Sequence, residues 1–143
     1  MDRRDEFKMN MEKQPKVYVA SPYSKGVKAY NVNRQIDAAD ALMDLGFAPY
    51  APLLNHFQQL RRPRVESDWL NLDLQWMRIC DATYRIKPII NGKELVSLGA
   101  DIEEEECNRL NIPVFYTLKD LCKHFGKEEE YKKWKEKNPD YQY

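Results

Sequence analysis

Short runs of β-branched and aromatic residues alternate along this chain with segments of helical period, and that alternation limits the fold more than any other feature. The first run is Lys16-Val17-Tyr18-Val19-Ala20, ended by the turn residues Ser21-Pro22-Tyr23-Ser24-Lys25-Gly26. From Val27 to Leu45 the apolar positions Val32, Ile36, Ala39 and Met43 recur at helical spacing and predict an amphipathic helix closed by Gly46. Phe47 to Ala51 predicts a second strand. Pro49 assigns it to a sheet edge, because proline removes a ladder donor. A helix over 66–79, a strand over 81–86, a helix over 98–110, a strand over 112–115 and a shorter helix beyond Thr117 continue the pattern. Successive strand-helix-strand units need right-handed crossovers, so the strands run parallel and helices cover both faces of one sheet.

The chain has 143 residues, 43% of them hydrophobic, which suffices for one domain with a core and not for two. Residues 1–15 are charged and aperiodic and read as a flexible N-terminal tail, 16–125 as the α/β domain, and 126–143 as a C-terminal helical tail. Tyr131, Trp134, Tyr141 and Tyr143 in that last segment are expected to dock on the body or on another subunit. Basic and acidic side chains number 23 each, so no basic field exists for a nucleic-acid backbone. No run of about 18 apolar residues could span a membrane, and MDRRDEFKMNMEKQ lacks the apolar centre of a signal peptide. The expectation is a cytoplasmic protein without nucleic-acid or membrane partners. Cys80, Cys107 and Cys122 lack the paired spacing of zinc or redox motifs and read as reduced, mostly buried thiols.

Ligands of open parallel sheets bind at the carboxyl ends of the strands. That rule selects Ser21 to Gly26, with Ser21, Tyr23 and Ser24 as binding candidates. It also selects the long loop over 52–65, with His56 and the arginines Arg61, Arg62 and Arg64, and the helix start Ser97-Leu98-Gly99. Ser97 and Gly99 stand where free N–H groups face the cleft, an anion site, although Ser97 could equally be only an N-cap. Ala100, Glu103, Cys107 and Leu110 share one helix face, so Glu103 lies on a mostly apolar stripe while Glu104 and Glu105 turn away. Asp73 falls between Trp69 and Trp76 at helical spacing, a charge beside two large rings, and Tyr18 carries its hydroxyl into a buried strand. Two acids, a tyrosine and an anion-binding turn suit a sugar or nucleotide. His56 and His124 make no metal site.

These residues resemble the nucleoside 2-deoxyribosyltransferase-like superfamily, which includes N-glycosidases of deoxynucleoside 5'-monophosphates. The matching pieces are Val17-Tyr18-Val19-Ala20-Ser21-Pro22-Tyr23, Asp73 with Asp81, Ser97-Leu98-Gly99-Ala100-Asp101-Ile102-Glu103, and Ile112-Pro113-Val114-Phe115, in order over 16–116. The resemblance implies a three-layer, Rossmann-like or flavodoxin-like α/β domain with a central parallel sheet of four to five strands. It implies Glu103 as the nucleophile that attacks the anomeric carbon, Tyr18 as its orienting partner and Asp73 as an acid touching substrate. It further implies a nucleoside or nucleotide as the small-molecule partner, no cofactor or metal, and a homodimer or higher oligomer. Transferases of the superfamily carry an aspartate six residues before the nucleophile. Here Ser97 stands there, which suits a 5'-phosphate and favours a hydrolase acting on nucleoside monophosphates. Base exchange by a deoxyribosyltransferase, hydrolysis of a larger nucleotide conjugate and a non-catalytic nucleotide sensor are the alternatives.

Overall fold

Four parallel strands form the centre of the computed structural model, which describes residues 2–6 and 14–143. Strand β1 (Lys16–Ala20) lies between β2 (Ala48–Tyr50) and β3 (Ala82–Arg85), and β3 also pairs with β6 (Val114–Phe115), in the order β2-β1-β3-β6. β2 is an edge strand, where Pro49 leaves no inner ladder short of a donor. The chain leaves β1 in one direction through helix α1 (Lys28–Asp44) to β2, then reverses across β1 to β3. This reversal puts a switch point between β1 and β3, where a parallel sheet opens a crevice beyond its carboxyl ends.

The period of two along β1 divides the core. Val17 and Val19 join α1, Phe47, Ala82 and Tyr84 in one buried cluster, together with α5 (Leu118–His124) and α6 (Glu128–Lys137). Tyr18 and Ala20 point the other way, against α3 (Glu66–Met77) and α4 (Leu98–Arg109), in a cluster with Met77, Ala100 and Cys107. Helices therefore cover both faces, and the α/β arrangement is three-layered as its alternation predicts.

Some details differ from the sequence expectation. In α1 the buried stripe is Asn31, Val32, Gln35, Ala38, Ala41 and Leu42, while Ile36 and Met43 are exposed. Two amides occupy core positions there because loop backbone supplies their hydrogen-bond partners. The long segment over 52–65 is not structureless: Pro52–Asn55 form a 3-10 turn, with proline at its start, and His56–Arg61 form helix α2. A hairpin, β4 (Ile89–Ile90) and β5 (Lys93–Glu94), turns at Asn91-Gly92, both in the left-handed region (φ 52° and 77°). Within the N-terminal tail, residues 3–6 make a helical turn whose first N–H groups bind the Asp2 carboxylate. The expectation of flexibility for residues 1 and 7–13 lies outside the described residues. Among the described residues no helix is long and apolar enough to cross a membrane.

The C-terminal aromatics dock on their own chain. Trp134 enters the α1-side core and donates its indole N–H to Asp44 Oδ2 at 3.1 Å, and Tyr141 meets the buried Tyr84 hydroxyl at 2.9 Å. We expect Trp134→Ala to cost about 3 kcal/mol of stability, through lost burial and the cavity it leaves, measured by urea unfolding.

Candidate active site

The crevice at the switch point is a cleft of about 490 Å³, walled by the β1–α1 loop, the 52–59 segment, α3 and the start of α4. It brings together all but one of the site residues expected from sequence. Ser21, Tyr23, Ser24, His56, Asp73, Ser97, Gly99 and Glu103 all line it. Tyr18 does not reach the surface: it is fully buried behind the floor, its ring stacked on Tyr50 at 5.9 Å, with Tyr50 stacked on Trp76 in turn. Of the three arginines only Arg64 borders the cleft, and it also pairs with Asp68 at 3.2 Å. Arg61 and Arg62 lie exposed, away from the cleft.

Buried polar atoms without partners mark this region as strained. Among the described residues four such side-chain atoms occur: the Tyr18 hydroxyl, Asp73 Oδ1, Glu103 Oε2 and Arg85 Nε. Leaving a buried polar atom unpaired costs about 1–3 kcal/mol, so three of them converging on one cleft is a cost that packing alone does not explain. A second concavity, about 440 Å³ between α1 and the C-terminal tail, contains Asp37, Asp40, Asp44 and Asp140 but none of these orphaned atoms.

Electrostatics point to the same three residues. Burial pushes the Glu103 carboxyl up to about 8; the Tyr18 hydroxyl opposes the shift, the Asp73 charge adds to it, and Arg85 opposes it. Tyr18 and Glu103 thus lie close enough to influence each other's ionisation, although neither the Tyr18 hydroxyl nor Glu103 Oε2 has a hydrogen-bond partner. Burial pushes Asp73 up to about 7. Tyr18 is raised well above the usual phenol range, first by burial and then by the charges of Glu103 and Asp73, so it stays protonated and acts as a donor. A protonated phenol between two carboxyls of altered acidity can orient a nucleophile, while the carboxyls divide acid and base roles.

At the α4 start, Ser97 does cap the helix: its Oγ accepts from the Ala100 N–H at 3.2 Å. Capping does not exhaust the site, because the Leu98 and Gly99 N–H groups have no carbonyl one turn earlier in the helix and stand at the cleft. A Cβ at Gly99 would meet nothing within 4 Å, so this glycine leaves open space rather than relieving a clash. Glu104 turns away from the buried stripe as expected and is engaged there by partners that the sequence does not show. It accepts from Arg85 Nη1 at 3.2 Å and from the Tyr116 hydroxyl, and Asp101 takes Arg85 Nη2 at 2.6 Å. The buried guanidinium at the end of β3 thereby pins the first turns of the helix that carries Glu103.

Several cleft residues were not singled out from sequence. Trp69 had been noted only as a neighbour of Asp73; its indole N–H donates to Gln59 Oε1, which also takes the Arg64 N–H. Lys28 and Gln35 come from α1. A polar residue at a core position of a helix was the available signal for Gln35. Tyr23 and His56 share a hydrogen bond of 2.5 Å that ties the β1–α1 loop to α2. Among the described residues no cluster of histidine, cysteine and carboxylate groups is arranged to hold a metal ion.

The family model described as Domain of unknown function (DUF7768) matches residues 15–117. The chain belongs to this family. The matched region runs from just before β1 to just beyond β6 and includes every residue that lines the cleft, whereas α5 and α6 lie outside it. Among solved structures the chain is similar to a 2-deoxyribosyltransferase from Bacillus psychrosaccharolyticus, at 24% identity over 69% of each chain with a TM-score of 0.48. No curated protein matches it in sequence.

The raised pKa of Glu103 has a stability signature. Its folded value, about 8, lies above its ordinary 4.5, so the folded state holds an extra proton between the two and stability falls as pH rises through that window. Glu103→Gln should therefore raise the Tm by several degrees near pH 9 and by about one degree or less near pH 5. Thermal unfolding followed at both pH values checks this.

Proposed function

We propose that this chain hydrolyses the N-glycosidic bond of a deoxynucleoside 5'-monophosphate through a covalent glycosyl-Glu103 intermediate. The observation that carries the reading is the Glu103 carboxyl, buried at the floor of an open cleft with one oxygen unpartnered, beside the Tyr18 hydroxyl and Asp73. An inward carboxylate held without a partner is poorly suited to a structural role and well suited to meeting an electrophilic carbon.

In the first step a Glu103 oxygen bonds to the anomeric carbon as the C–N bond breaks, and the bond's electron pair leaves with the base. Asp73, half-buried and with its carboxyl pushed up to about 7, supplies a proton to that leaving group from its protonated form. Tyr18 donates toward the carboxylate and orients it. Water then attacks the same carbon, the ester C–O bond breaks, its electron pair returns to Glu103, and the water's surplus proton passes to Asp73. Ser97, the free N–H groups at the α4 start and the cationic side chains of Lys25 and Lys28 supply the groups that suit a phosphate. Hydrolysis and base exchange share the first step and differ in whether water or a second base meets the intermediate, so the assay includes both acceptors.

The test is release of free base from deoxynucleosides, ribonucleosides and their 5'-monophosphates, with and without an acceptor base. Release confined to deoxynucleoside monophosphates and needing no acceptor supports the proposal, whereas exchange that requires an acceptor sinks the hydrolase assignment. Glu103→Ala should lower turnover by at least about a thousandfold while Glu105→Ala, exposed on the same helix, changes it little. The reaction needs Glu103 ionised and Asp73 protonated. We therefore expect a bell-shaped pH profile of kcat/KM, rising through about 7 and falling through about 8, with both flanks belonging to the pair. Asp73→Asn should remove the alkaline fall.

A further inference from the structure

Gln35 is fully buried in α1, yet it borders the cleft, and all the polar atoms of its amide are engaged. Its Nε2 donates to the Val19 carbonyl at 3.1 Å and to Ser21 Oγ at 2.9 Å, and its Oε1 accepts the Leu53 N–H at 3.1 Å. These partners fix which way the amide points. A backbone N–H can only donate and a backbone carbonyl can only accept, so turning the amide over would set two donors and two acceptors against each other. The nitrogen therefore faces Ser21, and the Ser21 oxygen is the acceptor in that bond.

The consequence falls on the Ser21 proton. With Gln35 donating to its oxygen, the hydroxyl must direct its hydrogen elsewhere, and among the described residues no protein acceptor takes it. Ser21 is itself nearly buried, at 7% exposure, and lines the cleft at the carboxyl end of β1. We propose that Gln35 is a positioning residue that occupies the acceptor side of the Ser21 hydroxyl and commits the Ser21 proton to an acceptor oxygen of the bound substrate. The site thereby prefers, opposite Ser21, an oxygen free to accept over a group that can only donate, because a donor placed there meets a second donor. The same amide joins the end of β1 to the 3-10 turn through Leu53, so two of the cleft's walls meet on one side chain. This inference rests on the cleft being the substrate site of the proposed glycosidase.

The test is a double-mutant cycle on Ser21→Ala and Gln35→Glu. Glutamate keeps the shape and still accepts from Leu53; the oxygen it turns to Ser21 captures the hydroxyl proton and also faces the Val19 carbonyl, so some loss of Tm is expected alongside the change in KM. Two readouts are used: KM and kcat for base release from a deoxynucleoside 5'-monophosphate, and calorimetric Kd for 2-deoxyribose 5-phosphate, which needs no turnover. We expect each single change to raise KM and Kd about tenfold with kcat within about threefold, and the double variant to exceed Ser21→Ala by no more than about twofold. Effects that multiply, or a Gln35→Glu variant that loses Tm and kcat with KM unmoved, would show a structural role only and overturn the proposal. If Gln35→Glu does not fold, Ser21→Ala decides alone, and unchanged KM and Kd overturn it. A wild-type protein that binds 2-deoxyribose 5-phosphate without releasing base removes the glycosidase reading while the Kd cycle still judges Gln35. One that neither binds nor turns over removes both.

Discussion

Everything in this molecule depends on β1 being buried on both faces. With sheet neighbours on either edge and helices above and below, the strand buries every side chain from Val17 to Ala20, and its period of two assigns each of them to one layer or the other. Val17 and Val19 supply the apolar contact to α1 and the C-terminal helices, and the opposite face receives Tyr18. The chemistry follows from that assignment. Tyr18 carries a hydroxyl to the side on which α3 and α4 bring Asp73 and Glu103, and β1 ends at the switch point where the cleft opens.

The two layers then take different functions. The α1 side is a conventional apolar core, completed by the aromatic tail, with the Tyr84 and Tyr141 hydroxyls paired and the Trp134 indole bonded to Asp44. The α3 and α4 side is smaller and contains all four of the unpartnered buried polar atoms found among the described residues, together with two carboxyls that burial keeps protonated to higher pH than usual. Each feature on that side lowers the stability of the fold, a cost of the kind met at functional sites. The stable layer makes the strained one tolerable. Around the strained layer, the network supplied by Gln35, Asn31 and Arg85 keeps loops and helix ends in place: Asn31 holds the Tyr23 and Lys25 carbonyls, and Arg85 holds Asp101 and Glu104.

Patterns of spacing carried much of this. Glu103 could be separated from Glu104 and Glu105 because 100° per residue puts it with Ala100 and Cys107, and the structure buries those three together. Asp73 between two tryptophans was visible in the same way. The buried face of α1 was not, because Ile36 and Met43 are more hydrophobic than Asn31 and Gln35, and hydrophobicity alone cannot reveal that two amides will meet backbone carbonyls of β1 and the loop after it. Nor could charge show that Glu104 leaves the solvent for Arg85, a partner nineteen positions earlier in the chain.

The order of strands and helices, the edge position of β2, the helix face of Glu103 and the identity of the cleft loops were determined by the sequence itself, since local period and the handedness of crossovers act without distant contacts. Tertiary structure alone decided the folding of 52–61 into two short helices, the docking of the tail's aromatics on the body and the orphaning of Tyr18, Asp73 and Glu103 at one cleft. Those outcomes depend on which groups from separate elements meet and on how much water their meeting excludes, and burial and pairing are properties of the assembled fold rather than of any segment.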